Sequence, residues 1–243
     1  MPKKIVLTVV YENNPYKAGL KTNWGFACVI SGTERTILFD TGGDSPTLLA
    51  NMDKMEIDPK SIDLLVLSHE HSDHVGGLGG FLAENPNVTV YMPASFSQGI
   101  KDSVTRVGGQ VVEVQEPALI CQGVQSTGEM GTSIKEQGLI LHTPKGAVVI
   151  TGCAHPGIAG IVARAKEVAQ DDLLFVVGGF HLGDTSQAKI TEIIASFQEL
   201  GVQYAAPCHC SGRVAQTLFQ RAYGDRYVEV GLGRVINLDD LEP

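Results

Sequence analysis

Apolar, β-branched runs of three to six residues recur along the chain, with glycines, prolines and polar clusters between them. The runs at 5–10, 26–30, 36–39, 64–67, 88–91, 111–114, 139–142, 147–150, 173–177 and 228–230 read as strands buried on both faces. Between them, apolar residues repeat every three to four positions at 46–55, 75–83, 97–107, 158–169, 186–200 and 214–222, the spacing of an amphipathic helix. Two turn signals, Ser31-Gly32 and Pro144-Lys145-Gly146, join neighbouring strands directly, so antiparallel pairs are expected beside parallel ones. A purely parallel, doubly wound sheet needs a helix after nearly every strand, and the two hairpins count against it. The expected class is α/β (α+β), with mixed sheets covered by helices. No Pro- or Ser-rich linker interrupts the pattern, so one domain over 1–243 is expected.

Composition narrows the function classes. Of 243 residues 43% are hydrophobic and 19% charged, which suits a soluble globular chain. Lys+Arg is 18 and Asp+Glu 27, so the formal net charge is 18 − 27 = −9, a field that repels phosphate backbones and argues against nucleic acid as a partner. The apolar run at 5–10 is too short for a membrane span or a signal-peptide core, so a cytoplasmic location without membrane contact is expected. Five scattered cysteines with no C-x-x-C pair argue for reduced thiols and against a disulfide framework or a zinc ribbon. Many of the 28 glycines come in pairs, including Gly42-Gly43, Gly76-Gly77 and Gly178-Gly179, which suits tight loops where backbone N–H groups approach a cation site or an anionic ligand.

The positions of the histidines change the picture most. Of seven, six lie just past an apolar run: His69, His71 and His74, then His155, His181 and His209. If those runs share a sheet edge, six imidazoles gather where α/β proteins place their ligands. His142, inside a run, is expected to be structural. In Ser68-His69-Glu70-His71-Ser72-Asp73-His74, His69 and His71 at i and i+2 point the same way from an extended segment, and Asp73 and His74 follow where the chain turns into a helix. Imidazoles with a carboxylate suit borderline divalent metals such as Zn(II), Fe(II) or Mn(II).

The string His69-x-His71-x-Asp73-His74 resembles the H-x-H-x-D-H motif of the metallo-β-lactamase superfamily, and Leu38-Phe39-Asp40-Thr41-Gly42 resembles that superfamily's strand followed by D-x-G. Thr151-Gly152-Cys153-Ala154-His155-Pro156-Gly157, Gly178-Gly179-Phe180-His181-Leu182 and Ala206-Pro207-Cys208-His209-Cys210-Ser211-Gly212 are similar to a subgroup related to a pterin-coupling synthase, which joins a dihydropterin to a ribofuranosyl-aminobenzene phosphate. The resemblance spans nearly the whole chain and implies a four-layer αββα sandwich of two mixed sheets covered by helices. It also implies that His69, His71 and His155 hold one metal and Asp73, His74 and His209 a second, with Asp40 accepting a hydrogen bond that orients a ligand. Where many members carry Gly-Asp, whose carboxylate bridges the metals, this chain has Gly152-Cys153. Cys153 is then either a thiolate ligand or a buried, unligated thiol, and one or two metals remain open.

The chemistry this implies is metal-assisted hydrolysis of an ester, thioester, lactone, amide or phosphodiester, because a divalent cation makes water nucleophilic at neutral pH. Zinc is the first choice of cofactor, with iron, manganese or magnesium as alternatives. Asp73 and His181 are the expected catalytic residues, His181 by lining the pocket and hydrogen-bonding substrate. Trp24 and Asn13 sit in loops suited to a flat heterocycle such as a pterin, and Arg213, at an expected helix N-terminus, suits an anion. Cys208 and Cys210 would point away from His209 if that loop were extended, and are expected to pack. The expected partner is a small molecule, anionic or pterin-like, with a homo-oligomer left open. The competing functions are a pterin-coupling transferase and a non-catalytic metal-containing binder.

Overall fold

The computed structural model describes residues 4–242, which form two compact units, residues 4–115 with 231–240 and residues 116–230 with 241–242. Each unit is built on one mixed sheet. In the first, β1 (Val6–Tyr11), β2 (Ala27–Ser31), β3 (Ile37–Phe39), β4 (Leu64–Val66), β5 (Thr89–Pro93) and β6 (Gln110–Val114) lie side by side in that order, with β13 (Val235–Asn237) on the outer edge of β1. The pairs from β13 to β3 are antiparallel and those from β3 to β6 parallel. The change follows the connections: a short turn at Gly32 suffices between β2 and β3, whereas each parallel step needs a crossover. The crossovers are α1 (Ser45–Lys54), the pair α2 (Ser72–Val75) and α3 (Leu78–Glu84), and α4 (Gln98–Arg106). Leu38, Leu65 and Val90 of the sheet pack with Leu48, Met52, Phe81 and Val104 of these helices.

The expected helix at 75–83 is two short helices because Gly76 and Gly77 break it. A Cβ on Gly76 would stand 2.1 Å from the carbonyl oxygen of Gly43, so the two glycine loops meet backbone to backbone. These pairs therefore allow a close approach of loop to loop.

The second sheet runs β7 (Ala118–Cys121), β8 (Val124–Ser126), β9 (Leu139–Thr143), β10 (Gly146–Thr151), β11 (Leu173–Gly179), β12 (Tyr204–Cys208). Hairpins join β7 to β10, and the parallel steps from β10 to β12 cross over through α5 (Ile158–Ala169) and α6 (Gln187–Glu199). Helix α7 (Arg213–Tyr223) follows β12. Val149, Val176 and Ala205 pack with Ile161, Ile194, Phe197 and Phe219. The expected strand at 228–230 does not form: its neighbour Tyr227 makes one isolated bridge to Ala205, and a single rung does not build a ladder. Two mixed sheets carrying helices are the class that the turns and runs predicted. Among the described residues no helix is long and apolar enough to cross a membrane.

Candidate functional site

In the first unit the candidate residues sit at the carboxyl ends of the parallel strands β3 and β4. Phe39 pairs with Val66, which brings Asp40, just past β3, beside Ser68, just past β4. Asp40 is fully buried and has a left-handed backbone (φ 58°), a costly conformation for a residue other than glycine. Its carboxylate accepts three hydrogen bonds: from Ser68 N at 2.7 Å, from Ser68 Oγ at 2.7 Å and from His74 Nδ1 at 2.7 Å.

Those contacts settle the histidine tautomers. The single hydroxyl proton of Ser68 goes to Asp40, so Ser68 Oγ must accept from His69 Nδ1, 2.9 Å away. His69 and His74 both carry their proton on Nδ1 and present the Nε2 lone pair, the form in which an imidazole binds a metal. Both are buried, and the ring centroid of His69 lies 4.7 Å from that of His71 and 4.2 Å from that of His74. Asp73 Oδ2 stands 3.7 Å from His74 Nε2, too long for a hydrogen bond. Two ligands about 2.1 Å from one tetrahedral cation would be roughly 3.4 Å apart. The donor set thus fits a borderline divalent cation in atom type, tautomer and spacing.

Trp24 joins this group through a hydrogen bond. Its indole Nε1–H donates to Asp73 Oδ2 at 2.9 Å, so it fixes the carboxylate while 56% of the residue stays exposed. Asn13 is half-buried in a loop that the buried Glu12 folds by accepting hydrogen bonds from Asn14.

In the second unit the candidates come from the ends of β10, β11 and β12. Past β10, four consecutive backbone N–H groups turn onto one buried carboxylate. Glu136 Oε1 accepts from Gly152 at 3.2 Å, Cys153 at 2.9 Å and Ala154 at 2.8 Å, and Oε2 accepts from His155 at 2.8 Å. Successive N–H groups aimed inward form an anion-binding concavity, and Glu136 fills it. Ala154 adopts a left-handed backbone (φ 60°) in the same loop. Glu136 was missed in the sequence, where it is one charged residue in a polar segment with no motif around it.

His181 and His209 also have left-handed backbones (φ 51° and 49°). Each such residue costs on the order of 1 kcal/mol or more, and the packing beside it holds it there. Next to His181, Phe180 is buried with ring centroids 5.6 Å from Phe197 and 5.5 Å from Phe219. Its N–H donates to Ser211 Oγ at 3.0 Å. His181 itself is exposed, and its ring centroid is 4.3 Å from that of His155. His209 is buried and opens a 3-10 turn, His209–Ser211, directly after β12.

That turn corrects the expectation for Cys210. Because the segment is helical, its thiol does not point away from the site: Cys153, His181 and Cys210 bring one ligand atom each to within 4.8 Å of one another. A hydrogen bond with Cys153 and another with His181 push the Cys210 thiol well below its usual range, against the effect of burial. The His181 imidazole is correspondingly more basic, chiefly through Cys210 and again against burial. Cys208 is fully buried, as packing requires. Arg213, at the start of α7, is exposed and lines a surface groove of about 260 Å³ with Gln187, Thr217 and Arg221.

Comparison with known proteins agrees with this layout. The model of the metallo-β-lactamase superfamily matches residues 25–190. A curated relative from Methanocaldococcus jannaschii, a 7,8-dihydropterin-6-methyl-4-(β-D-ribofuranosyl)-aminobenzene-5'-phosphate synthase, is 28% identical, with 85% of each chain covered. The crystal structure of Tm1679, a metal-dependent hydrolase of the β-lactamase superfamily, is 26% identical with a TM-score of 0.81, covering 96% of this chain and 98% of that one. YhfI from Bacillus subtilis, a metallo-β-lactamase fold protein, shares 12% identity and a TM-score of 0.72 over 96% of this chain and 99% of its own, a likeness of fold. With the family model matched over about two thirds of its length, and with the motif residues set at the ends of parallel strands, this chain belongs to the metallo-β-lactamase superfamily.

Proposed function

We propose that the chain is a metal-dependent hydrolase of a small, anionic ester, thioester, lactone or phosphodiester. In this reading His69, His71 and His155 hold one divalent cation and Asp73, His74 and His209 hold a second, with Cys153 at the position where relatives carry a bridging carboxylate. The observation that carries it is the Asp40–Ser68 network, which locks His69 and His74 on the Nδ1-protonated tautomer. A buried carboxylate and hydroxyl spent on two imidazole protons make sense when the opposite nitrogens have ligand work to do. Bound there, divalent cations would make water nucleophilic at neutral pH and polarise a carbonyl or phosphoryl oxygen. The residues of the chain do the remainder. Asp73, steered by Trp24, is placed to hold a proton in transit, and His181, exposed and kept basic by Cys210, hydrogen-bonds the substrate or its leaving group.

A second reading is a pterin-coupling transferase. It is favoured by the similarity to the synthase from Methanocaldococcus jannaschii across 85% of both chains. The exposed indole of Trp24 offers a face to a flat heterocycle in that case. One experiment separates the readings. Protein stripped with chelator and reloaded with Zn(II), Mn(II) or Fe(II) is assayed on esters, thioesters, lactones and phosphodiesters, and on a dihydropterin with a ribofuranosyl-aminobenzene phosphate. Metal-dependent release of acid or alcohol supports the hydrolase, and metal-dependent coupling with no hydrolysis supports the transferase. Turnover that is indifferent to chelator would overturn both.

A further inference from the structure

We propose that Cys153, His181 and Cys210 form a further soft-metal site in the second unit, sharing Cys153 with the ligand set proposed above, with two sulfurs and one nitrogen for a thiophilic cation such as Zn(II) or Cd(II). The topology produces it. Strands β10, β11 and β12 are parallel neighbours ending at Thr151, Gly179 and Cys208, and the register pairs Thr151 with Gly178 and Gly179 with Cys208. Each of the three residues stands two positions beyond the end of its strand. Adjacent strands run about 4.8 Å apart, so the loops that follow their ends are neighbours. The ligand atoms are accordingly all within 4.8 Å of one another. A tetrahedral zinc ion, with bonds of about 2.3 Å to sulfur and about 2.1 Å to nitrogen, sets its ligands roughly 3.5–3.8 Å apart, a contraction that side-chain torsions supply.

Two further observations point to a built site. Gly179 leaves room for Cys210: a Cβ there would lie 2.8 Å from its Sγ and 2.3 Å from the Gly152 carbonyl oxygen. His181 is held in a left-handed backbone beside the buried Phe180, and its side chain is hydrogen-bonded to that of Cys210. Two thiolates with one imidazole select soft or borderline cations over Mg(II) or Ca(II) and leave a fourth position open. The site goes beyond the proposed function, which gives His181 to the substrate, uses Cys210 only to keep that imidazole basic and assigns neither of them to a cation. A cation bound here would take His181 away from the substrate, so excess zinc should inhibit turnover.

The test uses the full chain carrying His69→Ala and His71→Ala, which reads this site whatever becomes of the histidine string. Cd(II) titration of the metal-free protein, followed by thiolate-to-cadmium charge-transfer absorption, should show a two-thiolate complex. Adding Cys210→Ser should cut the absorption to about half and weaken Cd(II) binding at least about tenfold. In the unmutated chain, Cd(II) should slow alkylation of Cys210, mapped by mass spectrometry, a measurement that needs no variant. The proposal is overturned if Cys210→Ser leaves the absorption unchanged, or if Cys210 is alkylated equally fast with and without Cd(II).

Discussion

The two units hold their candidate ligands by opposite means. In the first, His69, His71, Asp73 and His74 come from a single six-residue stretch, and one buried carboxylate, Asp40, sets the tautomer of His74 directly and that of His69 through Ser68. In the second, Cys153, His155, His181, His209 and Cys210 come from three strand ends, and what holds them is the backbone itself. Glu136 gathers four N–H groups, and Ala154, His181 and His209 are kept in left-handed conformations. A contiguous motif needs its side chains aimed; a dispersed one needs its loops built. Damage to the first should therefore weaken metal binding more than folding, and damage to the second should do both.

The largest effect should come from Glu136→Ala. It removes the acceptor for three buried N–H groups and one part-buried one, each buried group costing about 1–3 kcal/mol when left unsatisfied, so a loss of at least about 3 kcal/mol is expected by chemical denaturation. A loss under 1 kcal/mol would show that the loop does not depend on the carboxylate, and the contrast between the units would fail. Asp40→Asn keeps the shape but turns one acceptor into a donor facing Ser68 or His74. Metal affinity should drop about 10- to 100-fold while stability falls by about 1–3 kcal/mol. Metal titration and denaturation on the same sample would measure both, and unchanged affinity would remove Asp40 from the account. Trp24→Phe keeps an exposed ring and deletes the Nε1–H bond to Asp73. Stability should move by less than about 0.5 kcal/mol, with a severalfold loss of metal affinity as the readout.

The smallest effect belongs to Asp44, which caps α1. Burial raises its pKa, but hydrogen bonds from Thr47, Tyr11 and Asn23 outweigh that and bring it down to about 2. With a folded pKa below the unfolded value of about 3.9, its stabilisation is full above roughly pH 4 and is lost as pH falls through about 2. The stability gap between the unmutated chain and Asp44→Asn should therefore narrow between about pH 4 and pH 2. A gap that stays constant would deny the carboxylate this role.

The same contrast explains what could be read from the sequence. The histidine string declared itself because its members are adjacent in the chain, and most strands and helices began and ended within a residue or two of their apolar runs. Strands β7, β8 and β13 are only three or four residues long, and their pairing comes from neighbours that no local pattern reveals. Cys210 was expected to pack because an extended loop would turn it away, and a 3-10 turn reversed its direction. Glu136 carried no mark at all: a carboxylate in a polar segment becomes an organising group only when the loop past β10 folds over it.

The central claim, that the His69–His74 string is a metal-ligand set on a fold that stands without it, is tested most directly by metal analysis of His69→Ala and His71→Ala. Each variant should lose bound metal, measured by mass spectrometry of the purified protein, while circular dichroism and the thermal midpoint stay close to those of the unmutated chain. Full metal content in both, with the fold intact, would contradict the account.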